Sequence, residues 1–217
     1  MRLLVSSTPK ILPSLLPEFS PWLGTLVTPR NGALPQARRL WAAHRMPWAA
    51  DNDAFGDFDA AAYRAMLARI AGEGGCLWVS VPDMVGNACG TLHLWHQWAC
   101  EVEEVAQQPL ALVGQDGMED REIPWGEFDA LFLGGSTEWK LSRHAASLAH
   151  EAVVRGKHVH MGRCNSARRY RKAQAMGCET VDGTNVCLFP DRWLPVMARA
   201  LRALDRQEAD QPTLFGI

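Results

Sequence analysis

The segments CLWVSVPD (residues 76–83), PLALVGQDG (residues 109–117) and DALFLGGS (residues 129–136) share one pattern. Each begins with a short, nearly continuous apolar run and ends in small or polar residues. Strands buried on both faces of a parallel sheet have this composition, whereas strands with one wet face alternate apolar and polar residues. The three segments therefore predict buried parallel strands with polar side chains just beyond their C-terminal ends.

Shorter apolar runs lie on both sides of these segments, and helical patterns separate most of them. The predicted strands cover residues 3–6, 24–28, 47–50, 76–81, 109–114, 129–133, 158–161 and 179–181. The predicted helices cover residues 60–71, 87–106, 138–155, 166–176 and 192–204. This alternation predicts the α/β class and a compact (β/α)8 TIM-like barrel, irregular in its first units, where the links are rich in Pro and Gly. A doubly wound open sheet is the alternative.

The composition is that of a globular protein with one large core. Of the 217 residues, 47% are hydrophobic and 21% are charged, so we expect a single catalytic domain over residues 1–206 and a polar tail over residues 207–217. No apolar run is long enough to span a bilayer, and the proline-broken N-terminus lacks a secretory signature, which predicts a cytoplasmic protein without membrane contact. The six cysteines contain no CxxC pair and are expected to be reduced.

The formal net charge is only -2, but the charges are segregated. Residues 155–172 carry basic side chains and no acidic one, whereas acidic side chains dominate residues 101–129. Because phosphate contacts depend on the local patch more than on the total charge, the basic stretch is a candidate nucleic-acid contact. A solvated helix face is the alternative interpretation.

In a barrel of this kind, the residues that follow the strands converge at one rim. Asp51, Asp83 and Asp182 follow the third, fourth and eighth predicted strands, and Gln115 follows the fifth. One Asp after a strand is usually a turn or a cap, but capping alone rarely places three carboxylates at one rim. Two carboxylates can divide a displacement at an anomeric carbon, one as nucleophile and one as proton carrier. A third Asp with a Gln can read the edge of a purine-like ring, which Phe55 and a methionine can sandwich.

The ordered residues resemble the motifs of the tRNA-guanine transglycosylase superfamily, over roughly residues 45–185. The resemblance implies that Asp182 is the nucleophile, that Asp51 transfers protons and that Asp83 recognises the base. It also implies base-binding roles for residues that follow the middle strands. These are Gln115, the pair Gly134 and Gly135, and the pair Met161 and Gly162.

Within the superfamily, the phrases DNDAF (51–55), GGSTEWK (134–140) and HMGR (160–163) look most like phage and bacterial deazapurine DNA modification proteins. The resemblance implies a glycosyltransferase that exchanges guanine in DNA for a 7-deazaguanine base, such as 7-cyano-7-deazaguanine, without a cofactor. The residues after Asp182 lack the CxCxxC motif of the tRNA enzymes, so no structural zinc is expected and DNA is favoured over tRNA. Asn52, Asp53 and Ala54 replace a serine and two glycines of the family pattern.

Further expectations concern the surroundings of this site. Arg163, Arg168, Arg169 and Lys172 follow the seventh strand and are candidate phosphate ligands. Trp139 is either a wedge that fills the gap left by a flipped base or, as is commoner for a tryptophan, a core residue. His158 and His160 point to one side of a strand, and we expect them to pack and not to bind a metal.

The segment QPTLF (Gln211–Phe215) resembles the peptides with which bacterial replication and repair proteins bind the sliding clamp. A tail that packs on its own domain is the alternative. Three other functions remain open: a tRNA-guanine transglycosylase, a non-catalytic nucleic-acid-binding paralogue or partner subunit, and a nucleoside hydrolase that uses the same two carboxylates.

Overall fold

A computed structural model describes residues 1–6, 11–56 and 58–210, without the side chains of residues 187 and 207–210. Eight parallel strands pair in chain order and close into a barrel, because β1 pairs with both β2 and β8. The strands are β1 (Arg2–Val5), β2 (Leu23–Val27), β3 (Trp48–Ala50), β4 (Cys76–Ser80), β5 (Leu110–Gly114), β6 (Ala130–Leu133), β7 (His158–Met161) and β8 (Thr180–Asp182). The predicted (β/α)8 barrel is confirmed, and the open sheet is excluded.

An α-helix follows every strand except β5, which is followed by a short 3-10 helix (Met118–Asp120). The α-helices of the described residues are α1 (Leu12–Phe19), α2 (Leu34–His44), α3 (Ala60–Ile70), α4 (Ala88–Ala106), α5 (Thr137–Lys140), α6 (Arg143–Val154), α7 (Ala167–Ala175), α8 (Thr184–Leu188) and α9 (Pro190–Asp210). In the part of the chain that the structure describes, no helix combines the length and the apolar character needed to cross a membrane.

Three helical predictions need correction. The first units are regular enough to contain α1 and α2, each with a proline in its first two positions, where the missing N–H costs no helical hydrogen bond. The single helix predicted over residues 138–155 is divided into α5 and α6, because the side chain of Ser142 accepts the N–H groups of His144 and Ala145 and so begins a new helix. Helix α9 continues to Asp210, so residues 207–210 of the predicted tail are helical, and Gln211–Phe215 lie outside the described residues.

Alternate residues of the strands enter two separate cores. One face packs against the helices, and the other fills the barrel interior with Leu4, Leu26, Ala49, Trp78, Ala111, Val113, Ala130 and Phe132. Trp78 and Phe132 pack against each other with ring centroids 5.3 Å apart, and the buried ring of His160 lies 4.8 Å and 4.5 Å from them. These three rings pack together in the middle of the barrel, between its two mouths.

Candidate active site

A cavity of about 330 Å³ opens at the C-terminal mouth of the barrel. Every strand contributes a lining residue from its C-terminal end or from the loop after it. The cavity therefore brings together the three carboxylates predicted at this rim. Its lining comprises Ser6, Leu26, Thr28, Asp51, Asn52, Asp53, Ala54, Phe55, Asp83, Val85, Val113, Gln115, Phe132, Gly134, Gly162, Arg163, Asp182, Gly183 and Thr184.

Asp182 ends β8 and is held by two hydrogen bonds. Its Oδ1 accepts the backbone N–H of Arg163 at 2.8 Å, and its Oδ2 lies 3.1 Å from Nε2 of His160. Burial alone would raise the pKa of Asp182, but His160, the Arg163 N–H and the nearby Lys140 outweigh it and keep this pKa below its ordinary value. Burial also lowers the pKa of His160, so this ring is neutral and acts on Asp182 through its N–H. Asp182 is thus an ionised carboxylate at neutral pH, as a nucleophile requires.

Asp51 follows β3, and its pKa is shifted in the opposite direction from that of Asp182. Burial, together with the negative charges of Asp83 and Asp182, raises the pKa of Asp51 to about 7, although a hydrogen bond from the Ser80 hydroxyl opposes the shift. A carboxyl group with this pKa can give or take a proton near neutrality. Asp51 and Asp182 therefore form a pair whose surroundings move their pKa values apart.

Asp83 is fixed by two side-chain amides. Its Oδ1 accepts from Nδ2 of Asn52 at 2.9 Å, and its Oδ2 accepts from Nε2 of Gln115 at 2.7 Å. The Oε1 of Gln115 in turn accepts the N–H of Gly86 at 2.8 Å. Burial raises the pKa of Asp83 in spite of the two amides. Gln115 therefore holds both the Asp83 carboxylate and the loop after β4 in place. The remaining lone pairs of the Asp83 oxygens are left for a ligand in the cavity.

The backbone N–H and carbonyl groups of the glycine pair after β6 are hydrogen-bonded within the protein. The N–H groups of Gly134 and Gly135 both donate to the carbonyl of Gly114, and the guanidinium of Arg163 donates to both of their carbonyls. Gly134 lines the cavity, but Gly135 does not. A Cβ on Gly134 would lie 2.6 Å from Cγ1 of Val113, which explains the absence of a side chain there. Gly135 therefore does not fulfil the predicted contact with a base, whereas the contact of Gly134, which borders the cavity, stays a prediction.

Met161 does not face the cavity. It is fully buried in the core between barrel and helices, because β7 turns His160 inward and its neighbour outward. The prediction that Met161 stacks on a base is therefore wrong. Gly162, the other member of the predicted pair, does line the cavity, and a Cβ there would lie 2.6 Å from the ring of Phe132.

Two phenylalanines offer aromatic surface to the cavity. Phe132 forms part of its floor, and Phe55 lies at its edge with 70% of its surface exposed. The guanidinium carbon of Arg163 lies 4.7 Å from the centre of the Phe55 ring, a cation–π contact. Phe55 and Phe132 are thus the aromatic candidates for contact with a flat ligand.

Trp139 is a core residue. Its indole N–H donates to Glu119 at 2.7 Å, and its ring packs where a Cβ of Gly135 would lie. The side chain is 6% exposed. Of the two interpretations of Trp139, the wedge is wrong and core packing is confirmed.

The four basic residues after β7 differ in their surroundings. Arg163 lines the cavity and is bound to the two glycine carbonyls, while the half-buried Arg169 donates to the carbonyl of Arg163 at 3.1 Å. Arg168 is exposed and Lys172 is half-buried, both on α7. Arg168 is thus the member of the group that is open to a phosphate in this conformation.

Several functional candidates were missed in the sequence. Asn52 and Ser80 hold Asp83 and Asp51, and His160 holds Asp182. The fully buried Lys140 donates from Nζ to the carbonyl of Gly162 at 2.6 Å, and burial lowers its pKa to about 8. His160 was visible as part of an HxH pattern but was interpreted as a packing residue. The partners of the two histidines are Glu179 and Asp182.

No described His, Cys, Asp or Glu side chains form a group of three or more that could hold a metal ion. No protein-family model matches the chain, and no curated protein matches it. A solved dihydrodipicolinate synthase from Bacillus clausii has a similar backbone, with a TM-score of 0.49 and 10% identity, over 94% of this chain and 74% of that one. A likeness this low carries no argument about activity, so the function has to be inferred from the site.

Proposed function

We propose that the protein is a DNA-guanine transglycosylase, which exchanges guanine in DNA for a 7-deazaguanine base through a covalent aspartyl intermediate. The observation that carries the proposal is the presence in one cavity of an ionised Asp182 and an Asp51 with a pKa of about 7. Such a pair can supply a nucleophile and a proton carrier at neutral pH. The ordered resemblance of residues 45–185 to the transglycosylase superfamily supports assigning this chemistry to a nucleic-acid base.

The first half-reaction breaks the bond between guanine and deoxyribose. A guanine nucleotide leaves the base stack and enters the cavity. A carboxylate oxygen of Asp182 attacks C1′, the C1′–N9 bond breaks, and Asp51 gives its proton to the departing base. The deoxyribose is then held as an ester of Asp182, and guanine leaves as a neutral molecule.

The second half-reaction reverses these steps with a different base. The N9–H of a 7-deazaguanine gives its proton to the Asp51 carboxylate, N9 attacks C1′, and Asp182 is released. Each displacement inverts C1′, so the overall configuration is retained. Asp51 ends the cycle protonated, and the exchange requires neither oxidant nor nucleotide energy because one glycosidic bond replaces another.

Asp83 is the proposed reader of the base. Guanine and 7-deazaguanine both present N–H donors on their Watson–Crick edge, and a carboxylate accepts two such donors side by side. Asn52 and Gln115 fix the Asp83 carboxylate before a base arrives, because each binds one of its oxygens. Preorganisation of this kind reduces the ordering that binding would otherwise require.

The test is incorporation of a labelled base. Purified protein is incubated with radiolabelled 7-cyano-7-deazaguanine and, in separate reactions, duplex DNA, single-stranded DNA and tRNA. We expect label in DNA and a protein–DNA adduct that survives a denaturing gel. Asp182→Asn should abolish both, whereas Glu151→Gln, which alters a carboxylate paired with Arg155 on α6, should leave both unchanged.

Other outcomes of this experiment overturn the proposal. Label that enters only tRNA would reassign the polymer. No label in any polymer, or full exchange by Asp182→Asn, would remove the transglycosylase assignment itself. Release of free guanine from DNA without incorporation would indicate a hydrolase.

A further inference from the structure

A chain of hydrogen bonds runs down the barrel interior from Asp182. Its Oδ2 lies 3.1 Å from Nε2 of His160, and Nδ1 of His160 lies 2.9 Å from the hydroxyl of Thr180. The same hydroxyl lies 2.8 Å from Nε2 of His158, whose Nδ1 lies 3.4 Å from Glu179. Register explains the arrangement: His160 of β7 is the partner of Thr180 of β8, and residues two apart on a strand share a face.

This chain connects the two mouths of the barrel. Its upper end, Asp182, lies in the active-site cavity, and its lower end lies in a cleft of about 500 Å³ lined by His158, Glu179 and Arg2, among others. The middle is enclosed, because Thr180 is 1% exposed and His160 is 0% exposed. The rings of Trp78 and Phe132 pack directly against His160.

The direction of each hydrogen bond follows from the chemistry of Asp182. An ionised carboxylate only accepts, so Nε2 of His160 carries the proton. Because the ring is neutral, its Nδ1 is an acceptor, and the Thr180 hydroxyl must donate to it. The only hydroxyl proton is then used, so the Thr180 oxygen accepts from Nε2–H of His158. The three donors between His158 and Asp182 therefore all point toward Asp182, whereas a proton on Nδ1 of His158 points the other way, to the Glu179 carboxylate.

We propose that His158, Thr180 and His160 form a positioning relay for Asp182, in which Thr180 fixes the tautomer of His160 that donates to the carboxylate. His158 orients the Thr180 hydroxyl, and Glu179 orients His158. The relay holds Oδ2 of Asp182 in one direction, and Oδ1 is held by the Arg163 N–H. This inference rests on the proposed role of Asp182 as nucleophile, but the tautomer of His160 can be measured without any turnover.

The test uses three variants of the full chain. Thr180→Val removes the hydroxyl at nearly constant volume, and Thr180→Ser restores it. Thr25→Val is the matched control, because Thr25 is also a buried strand threonine and lies outside the relay. The other titratable groups that act on the relay stay unchanged in all three: Asp51, Lys140 and Cys164 at its upper end, and Cys178 and the amino terminus at its lower end.

The first readout is nitrogen NMR of ring-labelled histidine, which distinguishes a proton on Nε2 from one on Nδ1. We expect His160 to hold its proton on Nε2 from about pH 5 to about pH 8 in the wild type, in Thr180→Ser and in Thr25→Val. Thr180→Val should give a mixture of tautomers. A wild-type spectrum for Thr180→Val would overturn the relay, whatever the activity of the protein.

The second readout is the pH profile of kcat/KM for DNA in the base-exchange reaction. Without a fixed donor, the Asp182 carboxylate is less stabilised, so the acidic limb should move to higher pH and the rate near neutrality should fall about tenfold in Thr180→Val. Thr180→Ser should recover both. Equal profiles for Thr180→Val and Thr25→Val would contradict the relay, whereas absence of exchange in the wild type would count against the proposed function alone.

Discussion

The hydroxyl of Ser80 donates a 3.0 Å hydrogen bond to Oδ1 of Asp51 and opposes the rise in the pKa of that carboxyl group. Ser80→Ala removes the bond, so the pKa of Asp51 should rise above about 7. Asp51 must be protonated to release guanine, so the first half-reaction should persist to higher pH, and the alkaline limb of kcat/KM for DNA should shift upward. Ser80→Thr retains the hydroxyl and should retain the wild-type limb. An alkaline limb that stays in place in Ser80→Ala would contradict the role of Asp51 as acid.

Gln115 should affect binding of the base more than the chemical step. Gln115→Ala leaves one Asp83 oxygen without its amide donor, which in a buried site costs about 1–3 kcal/mol. We expect KM for the free base to rise by about ten- to a hundredfold with a smaller change in kcat. The control is Gln97→Ala on the exposed face of α4. A change confined to kcat would show that Gln115 does not act through base recognition.

Lys140 should make stability depend on pH in the alkaline range. Its pKa is lowered to about 8 in the fold from 10.5, so between these values the unfolded chain binds more protons and stability rises with pH. A difference of this size corresponds to about 3 kcal/mol. The buried thiols of Cys76, Cys164 and Cys178 have raised pKa values and oppose this trend above about pH 9, so the Lys140 effect is measured as a difference between variants. In urea unfolding, the stability of the wild type relative to Lys140→Met should rise from about pH 7 to about pH 10, whereas its stability relative to Lys157→Met should not change. A constant difference between the wild type and Lys140→Met would show that Lys140 does not cause the effect.

Arg168 should contribute to DNA affinity through phosphate contact. It is exposed on α7, whereas Arg163 and Arg169 are bound to carbonyl groups of the protein. Arg168→Ala should reduce the slope of log affinity against log salt by about 0.9, the value for one phosphate contact on duplex DNA. Arg199→Ala, an exposed arginine of α9, should leave the slope unchanged. An unchanged slope in Arg168→Ala would place the DNA elsewhere on the protein.

The strands were predictable because each is a local run of buried residues. The bounds predicted for β7 are those observed, and β5 differs by one residue at its start. Helices α1 and α2 escaped prediction because their prolines were interpreted as breakers, although a proline in the first turn is compatible with a helix and α1 also contains Pro17 in its interior. The fold could be inferred because the alternation of strand and helix patterns was recognisable in spite of these local errors.

The details of the site depend on contacts that are not local in the sequence. The period of two in β7 was visible, but nothing in the sequence shows whether His160 or Met161 points inward, and the resemblance favoured Met161. The register between β3 and β4 shifts between Trp48 and Ala50, and this irregularity fixes the position of Asp51 and its neighbours relative to Ser80. Pairing across strands therefore had to come from the structure.

Strands β1 and β8 close the barrel, and their pairing determines when Asp182 reaches its final position. Asp182 is the register partner of Leu4, so this carboxylate, the proposed nucleophile, reaches its place only when the last strand docks on the first. During synthesis, Asp51 and Asp83 emerge well before Asp182 and before the strand that carries His160. Contacts between segments so distant in sequence form late in folding. Under the proposed function, a half-made or partly unfolded molecule would therefore have a base-reading group but no held nucleophile, and attack on DNA would have to wait for barrel closure.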